Sequence, residues 1–384
     1  MKNNIPRIFL SPPHMGGDEL EFIKDVFNSN YIAPVGKHIT QFENEIARYV
    51  GVDGAVALSS GTAAIHLALR LFNIQTNDIV LCSSLTFVGS ANPILYEKAI
   101  PVFIDSEPDT WNMSPQALAS AFETYVSQGK KPKAVIVVNL YGQSADMDAI
   151  RKICDSFETP IIEDAAESIG AKYQGKNSGS FGEFSILSFN GNKMITTSGG
   201  GMLLSNDLKS LEKARFWSTQ ARDQALHYEH SELGYNYRLS NVLAAIGLGQ
   251  LRVLDQHIQS CRDIFSRYQK ELGKISGIDF MPEPVGYRSN KWLSVMTINP
   301  SVRSQTPAQL INHLEQNNIE SRPVWKPMHL QRIFKNTDFF SHNNQKPVCE
   351  QLFETGICLP SGSGMTYDEQ SRVIDCLQSQ LSVG

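Results

Sequence analysis

Seven short apolar runs recur through residues 55–205, and their spacing constrains the fold more than any other feature of the sequence. Each run contains three to six residues, many of them β-branched, and is mostly apolar along its length rather than at every second residue. Strands with this pattern are buried on both faces, as in a mostly parallel sheet covered by helices. The runs are Ala55–Leu58, Ile79–Cys82, Ile100–Ile104, Ala134–Asn139, Ile161–Glu163, Phe184–Phe189 and Met202–Leu204.

Helical patterns occupy the segments between these runs. Within residues 62–72, for example, Ile65, Ala68, Leu69 and Phe72 fall on one helical face. This alternation of strands and helices predicts an α/β layered domain with a mostly parallel central sheet.

The pattern changes after residue 206, where longer helical segments predominate. We predict helices at Leu208–Ala221, Asn241–Lys270, Pro307–Asn317 and Tyr367–Leu381, and a short strand at Trp292–Ile298. A chain of 384 residues is long enough for two domains. We therefore predict a large domain over residues 1–250 and a smaller C-terminal α+β domain over residues 251–384, against which the N-terminal segment could also pack.

Composition excludes several classes of function. The chain has 34 Lys and Arg against 39 Asp and Glu, a net charge of −5 that suits nucleic acid poorly. It contains no apolar run long enough to span a bilayer, no apolar segment before Pro12 that would act as a secretion signal, and no H-E-x-x-H metal motif. Six scattered cysteines without a C-x-x-C pair are typical of reduced thiols. We expect a cytoplasmic protein that binds neither metal, membrane nor nucleic acid.

Residues 59–62, Ser-Ser-Gly-Thr, lie between a predicted strand and a predicted helix. Small residues there leave the backbone N–H groups of the helix N-terminus open to an anion, and the hydroxyls add donors. The alternative is an ordinary N-cap. The spacing of a Walker P-loop is absent.

Asp164 follows the apolar run Ile161–Glu163. Open α/β sheets bind their ligands at the carboxyl ends of the strands. A buried carboxylate in that place needs a cationic partner. The alternative is a solvated aspartate in a surface turn.

Lys193 stands between the run that ends at Phe189 and the sequence Thr-Thr-Ser-Gly-Gly-Gly of residues 196–201. A lysine becomes a nucleophile when it is desolvated or lies beside other cations. The alternative is a solvated loop lysine.

Together these three motifs predict a site for pyridoxal phosphate. Lys193 would bond to the cofactor aldehyde, Asp164 would hold the pyridine N–H, and the strand-to-helix turn would hold the phosphate. An aromatic side chain must also stack on the ring, and Phe87 is the candidate, with core packing as its alternative.

Longer motifs carry a resemblance to a known family. They include NYIAPVGKHITQFE, LSSGTAAIHLALRL, IIEDAAESIGA, SFNGNKMITTSGGGM, LGYNYRLSN and RPVWKPMHLQ. The chain resembles the DegT/StrS nucleotide-sugar aminotransferases, which are pyridoxal phosphate enzymes of fold type I. Around Lys193 it is most similar to the subgroup that makes bacillosamine precursors and to the EpsN-type exopolysaccharide aminotransferases.

The resemblance assigns roles to the cofactor site. It implies that Lys193 bonds to the cofactor and carries the proton, and that Asp164 pairs with the pyridine nitrogen. Glu167 would face the ring hydroxyl, and Asn190 stands where many relatives have histidine. The phosphate would be bound by Gly61, Thr62 and Ser188, together with Asn236 of the neighbouring subunit, which implies a homodimer with shared active sites.

The resemblance also implies a reaction. The amino group of L-glutamate would pass to C4 of a UDP-4-keto-6-deoxy-N-acetylhexosamine in the biosynthesis of a polysaccharide or glycan. Substrate contacts would fall on Tyr31, Arg238, Trp325, Lys326 and His329, although Arg238 also suits an interface ion pair and His329 a core position. Alternatives are C3 or C4 amination of a dTDP- or GDP-linked keto sugar, and a non-catalytic regulator that binds the cofactor. A nicotinamide-dependent oxidoreductase is disfavoured because no G-x-G-x-x-G motif follows the first strand.

Overall fold

The computed structural model describes residues 6–381. Its strands are β1 (Gly54–Leu58), β2 (Ile79–Ser83), β3 (Ile100–Ile104), β4 (Ala134–Val138), β5 (Ile161–Asp164), β6 (Lys172–Tyr173), β7 (Lys176–Asn177), β8 (Phe184–Ser188), β9 (Gly201–Ser205), β10 (Ile278–Phe280), β11 (Tyr287–Arg288), β12 (Ser294–Ile298), β13 (Arg322–Pro323), β14 (Phe339–Phe340) and β15 (Gly356–Leu359). Its α-helices are α1 (Glu19–Ser29), α2 (Lys37–Val50), α3 (Gly61–Leu71), α4 (Val88–Tyr96), α5 (Pro115–Ser127), α6 (Met147–Ser156), α7 (Leu208–Ser218), α8 (Asn241–Leu272), α9 (Pro307–Gln316), α10 (Val348–Thr355) and α11 (Tyr367–Leu381).

An eight-stranded sheet forms the centre of the molecule, in the order β1-β9-β8-β5-β4-β2-β3-β14. All neighbouring pairs are parallel except those of β9, which runs antiparallel to both β1 and β8. The seven apolar runs are the first seven of these strands in the chain, with ends shifted by at most one residue. The predicted mostly parallel sheet is therefore confirmed, and β5 lies at its middle.

Helices cover both faces of this sheet because its strands are apolar on both faces. In β2, Val80 and Cys82 pack with α3 and α4, whereas Leu81 packs on the opposite side with α5 and α6. This two-sided burial is the physical reason for runs that do not alternate with polar residues.

The C-terminal part of the chain forms a four-stranded antiparallel sheet, β10-β12-β15-β13. It packs with α9, α11 and the last turns of α8. Helix α8 is continuous across residue 250, and its first half contributes Leu248 and Leu254 to the core of the central sheet. At the N-terminus Ile8 forms a β-bridge with Ile319.

Strand β14 was not expected from the sequence. It pairs in parallel with β3 at the edge of the central sheet, through Phe339 and Phe340. Two residues are too few to show a strand period.

No helix within residues 6–381 is both long and apolar enough to cross a membrane. All six cysteines are free, and five of them are buried.

Candidate active site

A cavity of about 890 Å³ opens at the carboxyl ends of β1, β5 and β8. The three motifs singled out in the sequence meet on its walls, represented by Gly61, Asp164 and Lys193. Strands β1, β5 and β8 run in the same direction, so their carboxyl ends lie at one edge of the sheet. This brings together residues that are more than a hundred positions apart in the chain.

Lys193 lies in the loop between β8 and β9. A turn closed by the hydrogen bond from Lys193 N to Asn190 O starts this loop. The side chain is largely buried, and its Nζ atom lies 3.4 Å from Oε1 of Glu167. The amine therefore points into the cavity and not into solvent, unlike an ordinary loop lysine.

Asp164 is the last residue of β5 and is buried. Ser90 Oγ donates to its Oδ2 at 2.6 Å, and Ala166 N donates to its Oδ1 at 3.1 Å. Ser90 has one hydroxyl proton, so Thr86 must donate the hydrogen bond that joins the two hydroxyls at 2.7 Å. Burial raises the pKa of Asp164, while these hydrogen bonds and the charge of Lys193 oppose that rise. The carboxylate is held by neutral donors, and no cation among residues 6–381 forms an ion pair with it.

Glu167 lies one turn further along the chain from Asp164. Its Oε2 accepts a hydrogen bond of 2.7 Å from the backbone N–H of Tyr141. Burial raises the pKa of Glu167, and the nearby charge of Lys193 opposes the rise. Tyr141 has a positive φ of 51°, which is uncommon for a bulky residue and indicates local strain at the cavity.

The N-terminus of α3 forms the other wall. Ser60 is its N-cap, and the hydroxyl accepts from Ala63 N at 3.0 Å. Gly61 and Thr62, which follow, line the cavity, as does Ser188 at the end of β8. A Cβ atom on Gly201 would lie 2.3 Å from the backbone nitrogen of Gly61, so β9 reaches this turn only because it begins with glycine.

Aromatic side chains form the outer wall. Phe87 is 61% exposed, and its ring lies 5.9 Å from that of Trp325. Trp325 packs edge-on against Tyr141, and its backbone N–H donates to the Tyr141 hydroxyl at 3.1 Å. An exposed phenylalanine ring at a cavity wall is available for stacking, unlike one packed in the core.

Four of the predicted substrate residues and Asn236 do not line this cavity. Tyr31, Asn236 and Lys326 are exposed elsewhere on the chain. Arg238 donates to Glu43 and to the carbonyl oxygen of Ala57, and 9% of its side chain is exposed.

His329 also lies away from the cavity, in a packed environment. Its Nδ1 atom is hydrogen-bonded to Ser84 Oγ at 2.7 Å and its Nε2 atom to Glu350 Oε1 at 3.1 Å, and the ring stacks on Phe339. The structure therefore gives Arg238 and His329 the surroundings of the ion-pair and core alternatives. Of the predicted substrate residues, Trp325 is the one placed at the cavity; Asn190 also lines it.

Several residues at the site were missed by sequence reasoning. They are Thr86, Ser90, Tyr141, Trp292 and Arg322. Ser90 lies three residues after Phe87, and its spacing of about one helical turn from Thr86 could have suggested that the two hydroxyls share a contact. Arg322 begins the RPVWKPMHLQ motif that also contains Trp325, and that position could have drawn attention to it. Tyr141 and Trp292 come from distant segments, and no local pattern marks them.

The residues present fit pyridoxal phosphate on chemical grounds. The cavity offers one buried amine, a strand-end carboxylate whose bonded donors are neutral, a helix N-terminus for a phosphate, and an exposed aromatic ring. These match an aldehyde, a protonated ring nitrogen, a phosphate and a ring face. Lys193, Asp164, Gly61, Thr62 and Phe87 would hold the cofactor.

This fold and this cavity define an aminotransferase that uses pyridoxal phosphate. Residues 13–378 match the model of the DegT/DnrJ/EryC1/StrS aminotransferase family, and the chain belongs to that family. The predicted family, fold and enzyme class are confirmed, and the cofactor of this family is pyridoxal 5′-phosphate.

Relatives and solved structures agree with this assignment. The chain is 57% identical to a putative pyridoxal phosphate-dependent aminotransferase, EpsN, of Bacillus subtilis, covering 97% of this chain and 95% of the relative. It is 35% identical to the GDP-perosamine synthase of Caulobacter vibrioides, covering 99% and 100%. It is 36% identical to the UDP-4-amino-4,6-dideoxy-N-acetyl-beta-L-altrosamine transaminase of Campylobacter jejuni, covering 62% and 63%. A DegT DnrJ EryC1 StrS aminotransferase from Brucella abortus superposes with a TM-score of 0.87 at 27% identity, covering 94% and 95%.

Proposed function

We propose that this sugar aminotransferase moves the amino group of L-glutamate to C4 of a UDP-linked 4-keto-6-deoxy-N-acetylhexosamine, for the synthesis of a polysaccharide or glycan. The observation that carries the proposal is the buried Lys193 amine, 3.4 Å from Glu167 in a cavity that also contains Asp164. The name of the Campylobacter relative supports a UDP-linked, N-acetylated 4-amino product.

The cofactor, when bound, supplies an electron sink that stabilises negative charge at the carbon losing its proton. Lys193 would bind the cofactor aldehyde through Nζ and would afterwards move a proton at the reacting carbon. Asp164 would accept a hydrogen bond from the ring N–H and keep that proton in place, while Ser90 and Ala166 fix the orientation of the Asp164 carboxylate. Gly61 and Thr62 would present backbone N–H groups to the phosphate. An amino group received from one substrate and delivered to the next predicts ping-pong kinetics.

We also propose a homodimer in which Asn236 of one subunit completes the site of the other. Asn236 is exposed and lies outside the cavity of its own chain. Exposed apolar side chains at Phe27, Tyr31 and Ile32 support a further contact surface. The free thiols support a cytoplasmic location, because oxidising compartments favour disulfides.

A GDP-linked keto sugar is the second candidate substrate, favoured by the GDP-perosamine synthase relative. The test is incubation of the purified protein with glutamate and a panel of UDP-, GDP- and dTDP-linked 3-keto and 4-keto sugars, with products identified by mass and NMR. We expect a 4-amino UDP-sugar. A product only from a GDP or dTDP sugar, or at C3, would replace the proposed substrate. If glutamate leaves the spectrum of the bound cofactor unchanged, the regulator alternative is favoured.

A further inference from the structure

One face of the Lys193 side chain rests on an indole ring. The Nζ atom lies 4.1 Å from the ring centroid of Trp292. A cation at this distance from a tryptophan face is attracted by the negative charge of the π system, and the attraction increases when water is excluded. Trp292 is 3% exposed and the Lys193 side chain 12%, so little of this contact faces water.

Trp292 is itself fixed to the loop that carries the lysine. Its Nε1–H donates to the carbonyl oxygen of Asn192 at 2.7 Å. This hydrogen bond fixes the orientation of the indole ring relative to the backbone next to Lys193, with the ring face directed at the amine.

The neighbouring residue Asn290 ties the same segment to Glu167. Its Oδ1 accepts from Trp292 N at 2.9 Å, and its Nδ2 donates to the carbonyl oxygens of Glu167 and Ile169 at 2.8 and 3.0 Å. Residues 290–292 thus hold both groups that contact the amine: the carboxylate through the backbone of Glu167, and the ring directly.

A lysine that bonds to a cofactor and then acts on a proton must be free during part of each cycle. Its four-carbon side chain has many rotamers, and only a few keep Nζ near the reacting carbon. A resting position between a carboxylate and an aromatic face would limit this search.

We propose that Trp292 is a positioning residue for Lys193, whose indole face holds the free ammonium beside Glu167 whenever the lysine is not bonded to the cofactor. This rests on the role proposed for Lys193. Ordinary core packing is the competing explanation, because Trp292 also belongs to the core that contains Tyr141.

The test measures how fast Lys193 reacts with acetic anhydride at pH 8. The full chain is loaded with pyridoxamine phosphate, which leaves the lysine unbonded, and labelling is read by mass spectrometry. Trp292→Leu removes the ring, whereas Trp292→Phe keeps a ring face and removes the bond to Asn192. We expect Leu to speed labelling about threefold to tenfold, and Phe to stay within about twofold of the wild type.

The matched control is Trp217→Leu. Trp217 is also buried, donates to Glu232 and lies under a cation, the guanidinium of Arg70, at 5.3 Å, but away from the cavity. Its loss should leave Lys193 labelling unchanged. If it raises labelling as much as Trp292→Leu does, or if Leu and Phe at 292 behave alike, the effect is general packing and the proposal is overturned.

A second measurement avoids variants that fail to fold. Biosynthetic 5-fluorotryptophan keeps the shape of the ring and weakens its negative face. It should speed Lys193 labelling in the wild type and leave it unchanged in Trp292→Phe; equal rates in both proteins overturn the proposal. Failure of the proposed function would be visible separately, because wild-type protein would not convert its bound cofactor when glutamate is added.

Discussion

The Nζ atom of Lys193 and Oε1 of Glu167 lie 3.4 Å apart, and both side chains are largely buried. Each offsets the desolvation of the other, so removing either leaves an uncompensated buried group. The pair also lies at the carboxyl end of β5, beside the buried carboxylate of Asp164.

Lys193→Ala should abolish both the visible absorbance of the lysine-bound cofactor and turnover, because no other amine lines the cavity among the described residues. Lys193→Arg keeps the positive charge beside Glu167 and should restore stability without restoring activity. Absorbance spectra and assays with glutamate and a keto sugar check both. Lys176→Ala, at an exposed lysine of β7, is the control. Activity near wild type in Lys193→Ala would refute the assignment.

Asp164→Asn should have opposite effects on the cofactor-free and the loaded protein. Burial raises the pKa of Asp164 above its ordinary value of 3.8, so its favourable contribution to folding is present at low pH and is lost as pH rises through the raised value. Without cofactor, the Asn variant should become more stable than the wild type as pH increases from about 4 to 8, by about 1 kcal/mol or more.

With cofactor bound, the wild type should be more stable than Asp164→Asn, because a carboxylate stabilises a protonated ring nitrogen and an amide does not. Melting temperatures measured at several pH values, with and without the cofactor, check this. We also expect turnover to fall by about a hundredfold or more, since the ring proton is no longer held. A constant difference between the two proteins at all pH values would show that Asp164 does not titrate in this range.

Local patterns were sufficient to find seven of the eight strands of the central sheet and the residues at their ends. Asp164 was marked by the apolar run before it, and Lys193 by its position between a strand and a glycine-rich turn. The direction of β9 could not be predicted, because a strand buried on both faces has the same pattern in either direction. Ser90 and Trp292 were not predicted for another reason, which is their distance along the chain from the residues they contact. Ser90 is 74 residues from Asp164, and Trp292 is about a hundred residues from Lys193.

Arg322 should bind an anionic substrate. Among the described residues that line the cavity, the cationic ones are Lys193 and Arg322. Lys193 is committed to the cofactor, and both proposed substrates carry negative charge. The Arg322 side chain is 64% exposed, and its guanidinium donates a hydrogen bond of 2.7 Å to Oε1 of Glu320. The other carboxylate oxygen of Glu320 accepts from Leu10 N. The Arg322 guanidinium is thus oriented at the cavity mouth with donors left for a carboxylate or phosphate.

Arg322→Gln is expected to raise KM for the bound anion by about tenfold or more and to leave kcat nearly unchanged, because the bond is made in ground and transition states alike. Assaying the glutamate and sugar half-reactions separately identifies the anion. Arg332→Gln, at an exposed arginine outside the cavity, should change neither. If both KM values stay at wild-type levels in Arg322→Gln, Arg322 is only a partner of Glu320.

Shared active sites predict complementation between inactive variants. In a mixed dimer of Lys193→Ala and Asn236→Asp, one site collects both defects and the other is intact. Random mixing makes about half of the dimers mixed, and each mixed dimer has one intact site out of two. The mixture should therefore have about a quarter of wild-type activity. A mixture of Lys193→Ala and Asp164→Asn should stay inactive, since both residues line the same cavity of one chain. Equal results for the two mixtures would contradict the shared site.

Gly201→Ala should damage both stability and phosphate binding. The new Cβ would lie 2.3 Å from Gly61 N and from the carbonyl carbon of Ser60, and backbone cannot move aside as a side chain can. The start of β9 and the N-terminus of α3 must then separate, at a cost of about 1–3 kcal/mol or more, and the N–H groups offered to the phosphate move with the helix. Gly191→Ala is the control, because its Cβ meets only Ser198 O at 3.8 Å.

Denaturant unfolding and cofactor titration of both glycine variants check these two effects. Gly201→Ala should lower stability and weaken cofactor affinity at least about tenfold, roughly the loss of one phosphate hydrogen bond, while Gly191→Ala changes neither. Loss of stability with cofactor affinity preserved would mean that the close approach serves folding alone.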